Sequence, residues 1–341
     1  QQLIFDMRLH TMTRLFNKAS AEIKNLSAKE VWSIQLDDIY GVRTNLPLLF
    51  ETKVIETLQL IRDSVLQIRN ADEIEIFSQI NVKGSVKQLA QNLINSFLSA
   101  LEKSVANAQG VTVNSNINAD NRSLIVLCNC SYTCNFVLPK LYEAFNKYGY
   151  PDMSQVIELT QKKFKELERK LRELFIEKKR DSVIGRIEPA MYAFDPNWTA
   201  TCEMPKEVSY YVKETVLNLI FVQAEIYQIT PQLVNKTMFV ILQATIEEIE
   251  RLYESCVSKI TDAARLQMLI DINAIDCVLR NTGKYYSKLK RKIDRCRSIC
   301  DASMDDKTIR KLIDDVTIRF CDSMRLQISC FNFDYENMAT A

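Results

Sequence analysis

Histidine is the side chain best suited to moving protons or ligating zinc near neutral pH, and this sequence contains one, His10. It lies on an amphipathic segment near the start of the chain, where a surface or packing role is the reading. Cys128, Cys130 and Cys134 form a C-x-C-x3-C cluster. Zinc would require a fourth ligand, and the usual CxxC knuckle spacing is absent. On a helix Cys130 and Cys134 share a face while Cys128 does not, so the three read as packing residues. Cys296 and Cys300 at i,i+4 read the same way, because they continue an apolar stripe with Leu289 and Ile293. Acidic pairs occur at Asp37-Asp38, Asp305-Asp306 and Asp314-Asp315. Adjacent residues on a helix diverge, so none is a ready carboxylate dyad; Asp305-Asp306 suits a helix N-terminus instead. No GxxxxGK[ST], GxGxxG, GxSxG or HExxH pattern occurs. No catalytic residue, metal ligand or cofactor site is assigned.

One charged feature stands out. Between positions 284 and 297 seven cations, Lys284, Lys288, Lys290, Arg291, Lys292, Arg295 and Arg297, meet a single acid, Asp294. Lys284, Lys288, Arg291 and Arg295 fall on one helical face, opposite Tyr285, Leu289, Ile293 and Cys296. Two readings follow: a solvated face, common for basic stripes, or a docking surface for an acidic partner or anionic lipid headgroups. Aromatic residues are missing from the basic side, which argues against stacking on nucleic acid.

The elements that carry these residues are helical. Gly (6) and Pro (7) are scarce in 341 residues, whereas strand-rich folds consume both in turns. Apolar residues recur at helical spacing at Val54, Leu58, Ile61, Val65 and Ile68, after Pro47 in a first turn. They recur again at Val86, Leu89, Leu93, Phe97, Leu101 and Val105, with Gly110 as the C-terminal cap. An Asn/Ser-rich loop follows, then an apolar stretch, Arg122–Tyr148, which Pro139 should kink or split. The clearest long helix runs from Pro151 to Asp181, with Val156, Leu159, Phe164, Leu167, Leu171, Leu174 and Phe175 inside. At about 1.5 Å per residue it is roughly 45 Å long, a length natural for a rod. Residues 182–205 hold Gly185, Pro189, Pro196 and Pro205, and this cluster predicts a linker between bundles 1–181 and 206–341. Beyond it come helices 206–228 and 231–259, with Thr230 as N-cap and Pro231 in the first turn, then 262–281, 284–300 and 305–331. The predicted fold is all-α: an elongated rod of stacked helical bundles.

Composition narrows the function classes. Lys plus Arg (44) nearly balance Asp plus Glu (43), so no global field steers the chain toward nucleic acid or an acidic bilayer. The ten cysteines sit in apolar helical stretches, where free Cys packs as a small core residue. Without a signal peptide or an uninterrupted apolar run long enough to span a membrane, the reading is a reducing cytosol. The first residue is Gln1, which reads as a piece of a longer protein.

Four segments go beyond generic helix: RSLIVLCNCSY (Arg122–Tyr132), DSVIGRIEPAMYA (Asp181–Ala193), VQAEIYQITPQLV (Val222–Val234) and MRLQISCF (Met324–Phe331). In this order they resemble the carboxyl-terminal half of the exocyst component two family, across most of residues 122–331. The family tends to have glycine where Ala190 stands and a Gly-containing Tyr-Phe-Asp-Trp stretch where this chain reads AFDPNW. A histidine frequent in the family is Gln223 here. The resemblance implies a non-enzymatic scaffold subunit, built as a helical rod, that helps tether secretory vesicles to the plasma membrane. It implies other exocyst subunits as partners, and a cytoplasmic location, peripheral at the plasma membrane and on secretory vesicles. It also implies that a small GTPase of the Ral type binds only through a module amino-terminal to this region. The alternative is a peripheral membrane-binding module that uses the basic face 284–297.

Overall fold

The computed structural model describes residues 2–68, 74–108, 119–300 and 307–332. The expected cap at Gly110, most of the loop expected over 110–121, the pair Asp305-Asp306 and the end of the tail lie outside the described residues, while 119–121 are helical rather than loop. Among the described residues the chain is all-α apart from one two-stranded hairpin. It divides into two compact units, Gln1–Phe175 and Ile176–Ala341.

The first unit begins with α1 (Gln2–Lys24) and a hairpin of β1 (Gln35–Asp37) and β2 (Gly41–Arg43). Then come α2 (Leu46–Ile61), α3 (Ile80–Ala108), α4 (Ala119–Tyr132), α5 (Leu138–Lys147) and the opening turns of α6 (Ser154–Tyr192). The hairpin was not expected from the sequence. Its turn is local chemistry: Asp37 Oδ1 accepts from the backbone N–H groups of Ile39 and Tyr40, and Gly41 takes a φ of 81°. Buried Asn129 on α4 anchors it, accepting from the Thr44 N–H at 3.0 Å and donating to the Thr44 hydroxyl at 3.0 Å.

Pro47 lies in the first turn of α2, where its missing N–H costs nothing. At Pro139 the long apolar stretch divides: α4 passes through a π-helical turn, Thr133–Val137, into α5 with Pro139 at its start. The wider turn makes room for the proline ring against the preceding turn. Asp120–Lys147 is long and apolar enough to cross a membrane by length and composition, but 72% of its most apolar window is buried by its neighbours. It is a core helix here. The centre of the unit is aromatic: Phe50 and Phe97 stack with centroids 4.3 Å apart and planes within 2°, and Phe164 lies 6.3 Å from Phe97.

The inner stripe of α6 differs from the expected one at two places. Leu159 and Leu174 are exposed, whereas Thr160 is fully buried between Val156 and Phe164. The buried row 156, 160, 164, 167, 171, 175 keeps to helical spacing, and Leu159 and Leu174 each sit about 100° of rotation off it. Thr160 tolerates burial because its hydroxyl donates to the Val156 carbonyl at 2.5 Å. Ile68, predicted to extend the α2 stripe, is exposed too, because α2 ends at Ile61 in a π-helical turn, Arg62–Leu66.

α6 does not stop at Asp181. It continues through Gly185 and Pro189 to Tyr192. Pro189 costs the helix one backbone donor and crowds the carbonyl at i−4, and the helix lasts only three residues more. The rest of the expected linker holds a short 3-10 turn, Trp198–Ala200.

The second unit adds α7 (Tyr210–Ile229), α8 (Val234–Cys256), α9 (Asp262–Arg280), α10 (Tyr286–Cys300), α11 (Lys307–Ser323) and α12 (Arg325–Ile328). Thr230 is not the N-cap of α8. Its side chain meets Gln232 instead, and a 3-10 turn, Pro231–Leu233, precedes the helix. Thr261 does cap α9, accepting from the Ala264 N–H at 3.2 Å, and its own N–H donates to the Thr199 carbonyl at 3.0 Å. That bond ties the Trp198 turn to the start of α9. In the core the Tyr211 and Tyr253 hydroxyls lie 2.7 Å apart, and Tyr253 donates to the Met268 carbonyl. Cys277 on α9 and Cys321 on α11 are joined by a disulfide with Cα atoms 6.8 Å apart. This corrects the expectation that both are unpaired packing residues: α11 packs along α9 and brings the two thiols together.

Phe97 touches two other rings and is fully buried. Phe97→Ala should lower the unfolding free energy of the first unit by about 3–5 kcal/mol, measured by urea unfolding followed by far-UV circular dichroism.

Candidate functional site

The cations expected to form a docking face lie on α10 and the turn before it, and the apolar side of α10 dictates what they meet. Leu289, Ile293, Cys296 and Cys300 are fully buried against α8 and α9. The flanking positions are thereby carried next to acids on those helices. Lys292 Nζ lies 2.6 Å from Glu247 of α8. Arg295 reaches Glu250 at 2.6 Å and Glu254 at 3.4 Å on the same helix. Arg297 bonds Asp276 of α9 at 2.7 Å, Asn273 at 3.0 Å and Asp294 at 2.9 Å. Lys288 stands over the Phe239 ring, 5.6 Å from its centroid. Lys290 and Arg291 are exposed and form no ion pair among the described residues. Lys284 belongs to the 3-10 turn Gly283–Tyr285, and its side chain lies outside the described residues.

Asp276 is the centre of this arrangement. It is 1% exposed, with Oδ1 accepting from the Tyr286 hydroxyl at 2.7 Å and Oδ2 taking Arg280 at 2.8 Å and Arg297 at 2.7 Å. Burial pushes its carboxyl up, but the bonds from Tyr286, Arg280 and Arg297 outweigh that and hold it below the ordinary value.

The residues inspected for chemistry are dispersed. His10 is exposed on α1. Cys128, Cys130 and Cys134 are buried, and burial raises the Cys130 and Cys134 thiols. Burial likewise pushes Cys296 and Cys300 up to about 12, so these thiols stay protonated and unreactive. Among the described residues no group of three His, Cys, Asp or Glu side chains is placed to hold a metal ion. Asp314 and Asp315 are exposed. Gln223 donates to the Cys330 carbonyl at 3.3 Å, a packing contact of α7.

A second feature escaped sequence reasoning. A cavity of about 340 Å³ opens between the end of α6, the 193–209 segment and α9. Its lining includes Phe194, Trp198, Met204, Tyr210, Gln267 and Asp271. Asp271 is 1% exposed, and its Oδ1 accepts from the Ser209 N–H at 2.9 Å and from Gln267 Nε2 at 3.0 Å. Burial is the main cause that raises its carboxyl from 3.8 to about 6, against the hydrogen bonds from Ser209, Gln267 and Tyr211. These residues lie far apart in sequence, and the only signal they carried was the cluster of helix breakers.

A family model described as exocyst complex component Sec5 matches residues 1–331 of this chain. The chain is 29% identical to exocyst complex component 2 of Homo sapiens over 356 residues, covering 97% of this chain and 37% of the relative. Against exocyst complex component 2 of Drosophila melanogaster it is 27% identical over 360 residues, covering 97% and 39%. The chain thus spans less than two fifths of the length of these curated relatives. No solved structure matches it.

Removing the acid at the centre of the cluster leaves Arg297, itself part-buried, without its main partner. Asp276→Ala should cost about 3–5 kcal/mol, whereas Glu247→Gln, at a half-exposed pair, should cost less than about 1 kcal/mol; urea unfolding compares the two. Asp271 acts in the opposite sense. Its folded-state carboxyl is raised, so its contribution is fully present below 3.8, fades as pH rises, and is gone above about 6. Between those limits the wild type should lose on the order of 3 kcal/mol more than Asp271→Asn, measured by urea unfolding at a series of pH values.

Proposed function

This chain belongs to the Sec5 family of exocyst components, and on that premise we propose that it is a non-enzymatic scaffold segment that holds sister exocyst subunits by protein–protein contacts. In that role it helps tether secretory vesicles to the plasma membrane before fusion, from the cytoplasmic side. The observation that carries the reading is the family match across residues 1–331 of a chain folded as helical bundles. The mechanism is mechanical. Apolar stripes buried within each unit make stiff modules, and exposed faces are left to hold partners.

The chemistry-bearing residues support a non-catalytic role. The single histidine is exposed on α1, and burial raises the Cys296 and Cys300 thiols rather than activating them. For the rival reading, a grip on anionic lipid by the basic face, several of the cations are already occupied. Lys292, Arg295 and Arg297 meet acids of the same unit and Lys288 stands over Phe239, while Lys290 and Arg291 are exposed and the Lys284 side chain lies outside the described residues. At roughly 1 kcal/mol per basic residue near an acidic surface, cations already paired within the unit add little to a grip on lipid, which favours the scaffold reading.

An affinity pull-down of the chain from cytosol, with mass spectrometry of the bound proteins, tests the scaffold role. Other exocyst subunits should be recovered together. Recovery of none, at concentrations where the chain is folded, would overturn it.

A further inference from the structure

Two buried aspartates on α9 have different surroundings. Asp276 is paired with two arginines, whereas Asp271, one and a half turns earlier, has only neutral donors and no ion pair among the described residues. Buried carboxylates are ordinarily matched by a cation. Asp271 instead lines a cavity of about 340 Å³ with three further acids, Asp195, Glu203 and Glu207, against a single cation, Lys206. Glu207 holds Lys213 outside the lining at 2.5 Å, and burial is the main obstacle to charge at Asp271.

Most of the rest of the lining is apolar or aromatic, with Thr201, Ser209 and Gln267 as polar members. Phe194 and Tyr210 meet edge to face with centroids 4.4 Å apart and are 75% and 47% exposed. Met204 is exposed beside them, and Trp198 contributes an indole whose Nε1 is buried without an acceptor. The cavity therefore calls for three things: a second cation to offset its excess of acids, an apolar stem along its aromatic wall, and an acceptor for the Trp198 Nε1–H. A guanidinium supplies the first in planar form, stacks on aromatic faces and suits carboxylates better than an ammonium does. A peptide carbonyl supplies the acceptor, and residues on either side of the cation would cover the exposed Phe194 and Met204.

We propose that this cavity is a docking site for an arginine side chain presented by an extended segment of a partner protein, with Asp271 as its buried carboxylate and Phe194 and Tyr210 as its aromatic wall. The site would be a point of attachment on the scaffold. It deepens the scaffold reading and rests on it, but its test needs no sister subunit, so the two fail separately.

The test uses the full 341-residue chain carrying Trp32→Phe, so that Trp198 is the sole indole of the two in the sequence. Its emission is followed while acetyl-Ala-Arg-Ala-amide is added, beside the citrulline analogue and free arginine. The arginine peptide should give a saturable change at about millimolar concentration, the range a ligand of this size reaches. The uncharged citrulline peptide should bind at least about tenfold more weakly. Asp271→Asn and Phe194→Ala should each weaken the arginine peptide by a similar factor. Phe194 is a surface residue, so its substitution reads binding even if Asp271→Asn disturbs packing. No saturation with the arginine peptide, equal binding of citrulline, or full affinity in Phe194→Ala would overturn the proposal. Free arginine binding as tightly as the peptide would overturn it too, since the site would then take a small molecule.

Discussion

A carboxylate taken out of water has to be met by positive charge, and in the second unit that requirement falls on Asp276. Leu279, Ile275 and their neighbours bury the face of α9 that carries it. Arg280 answers from the same helix, one turn on, while Arg297 and the Tyr286 hydroxyl answer from α10. The register of α10 against α9 is set by that demand as much as by Leu289 and Ile293, because sliding α10 by a turn would remove both donors while leaving apolar contacts to be re-formed. The pairs from α10 to Glu247 and Glu250 follow from the same register. Taken singly they contribute little, since they are part exposed to water. Their effect is to use up cations that would otherwise face solvent.

The first unit is organised differently. Its centre is a set of phenylalanines, Phe50, Phe97 and Phe164, supplied by α2, α3 and α6. Aromatic rings fill space without directional charge, so the polar work moves to the edges. The hairpin is held by Asn129 and Thr44, and Arg43 lies over the Tyr132 ring with its carbon 4.3 Å from the centroid. Buried threonines return their hydroxyls to their own helices, as Thr133 does to Asn129 at 2.7 Å. Longer-range polar contacts join them: the Tyr150 hydroxyl donates to the Leu58 carbonyl at 3.3 Å, and Lys140 of α5 pairs with Glu51 of α2 at 3.3 Å.

Both arrangements suit the scaffold role proposed above. Reactive chemistry needs a group tuned against its surroundings and reachable by a substrate; here Cys296 and Cys300 are buried and raised, and the one histidine is exposed on α1. The exception is Asp271, a buried acid with no ion pair among the described residues, beside an open cavity. Its neighbours come from the end of α6, the turn at Trp198 and the start of α7. Thr261 stitches the Trp198 turn to α9 through the Thr199 and Thr201 carbonyls, which keeps the cavity wall in place.

Much of the helical layout was legible in the sequence because it depends on local rules. Helical spacing gave the buried row of α10 and most of those of α3 and α6, Pro47 marked a helix start, and Pro139 marked a division. The four motifs pointed to the exocyst family, whose model matches residues 1–331. What the sequence left undecided depended on neighbours distant along the chain. Whether Leu159 or Thr160 faced inward turned on which rotation of α6 met Phe97. Cys277 and Cys321 were two apolar-looking cysteines until α11 packed on α9. The basic run at 284–297 reads as a free face, since nothing local reveals Glu247, Glu250 and Asp276 waiting on other helices. Likewise Asp271 is an ordinary aspartate in sequence, and only the fold surrounds it with apolar walls and withholds a cation. Periodicity is a property of one helix and is written in one segment; charge balance is a property of the packed whole, and only the tertiary structure decides it.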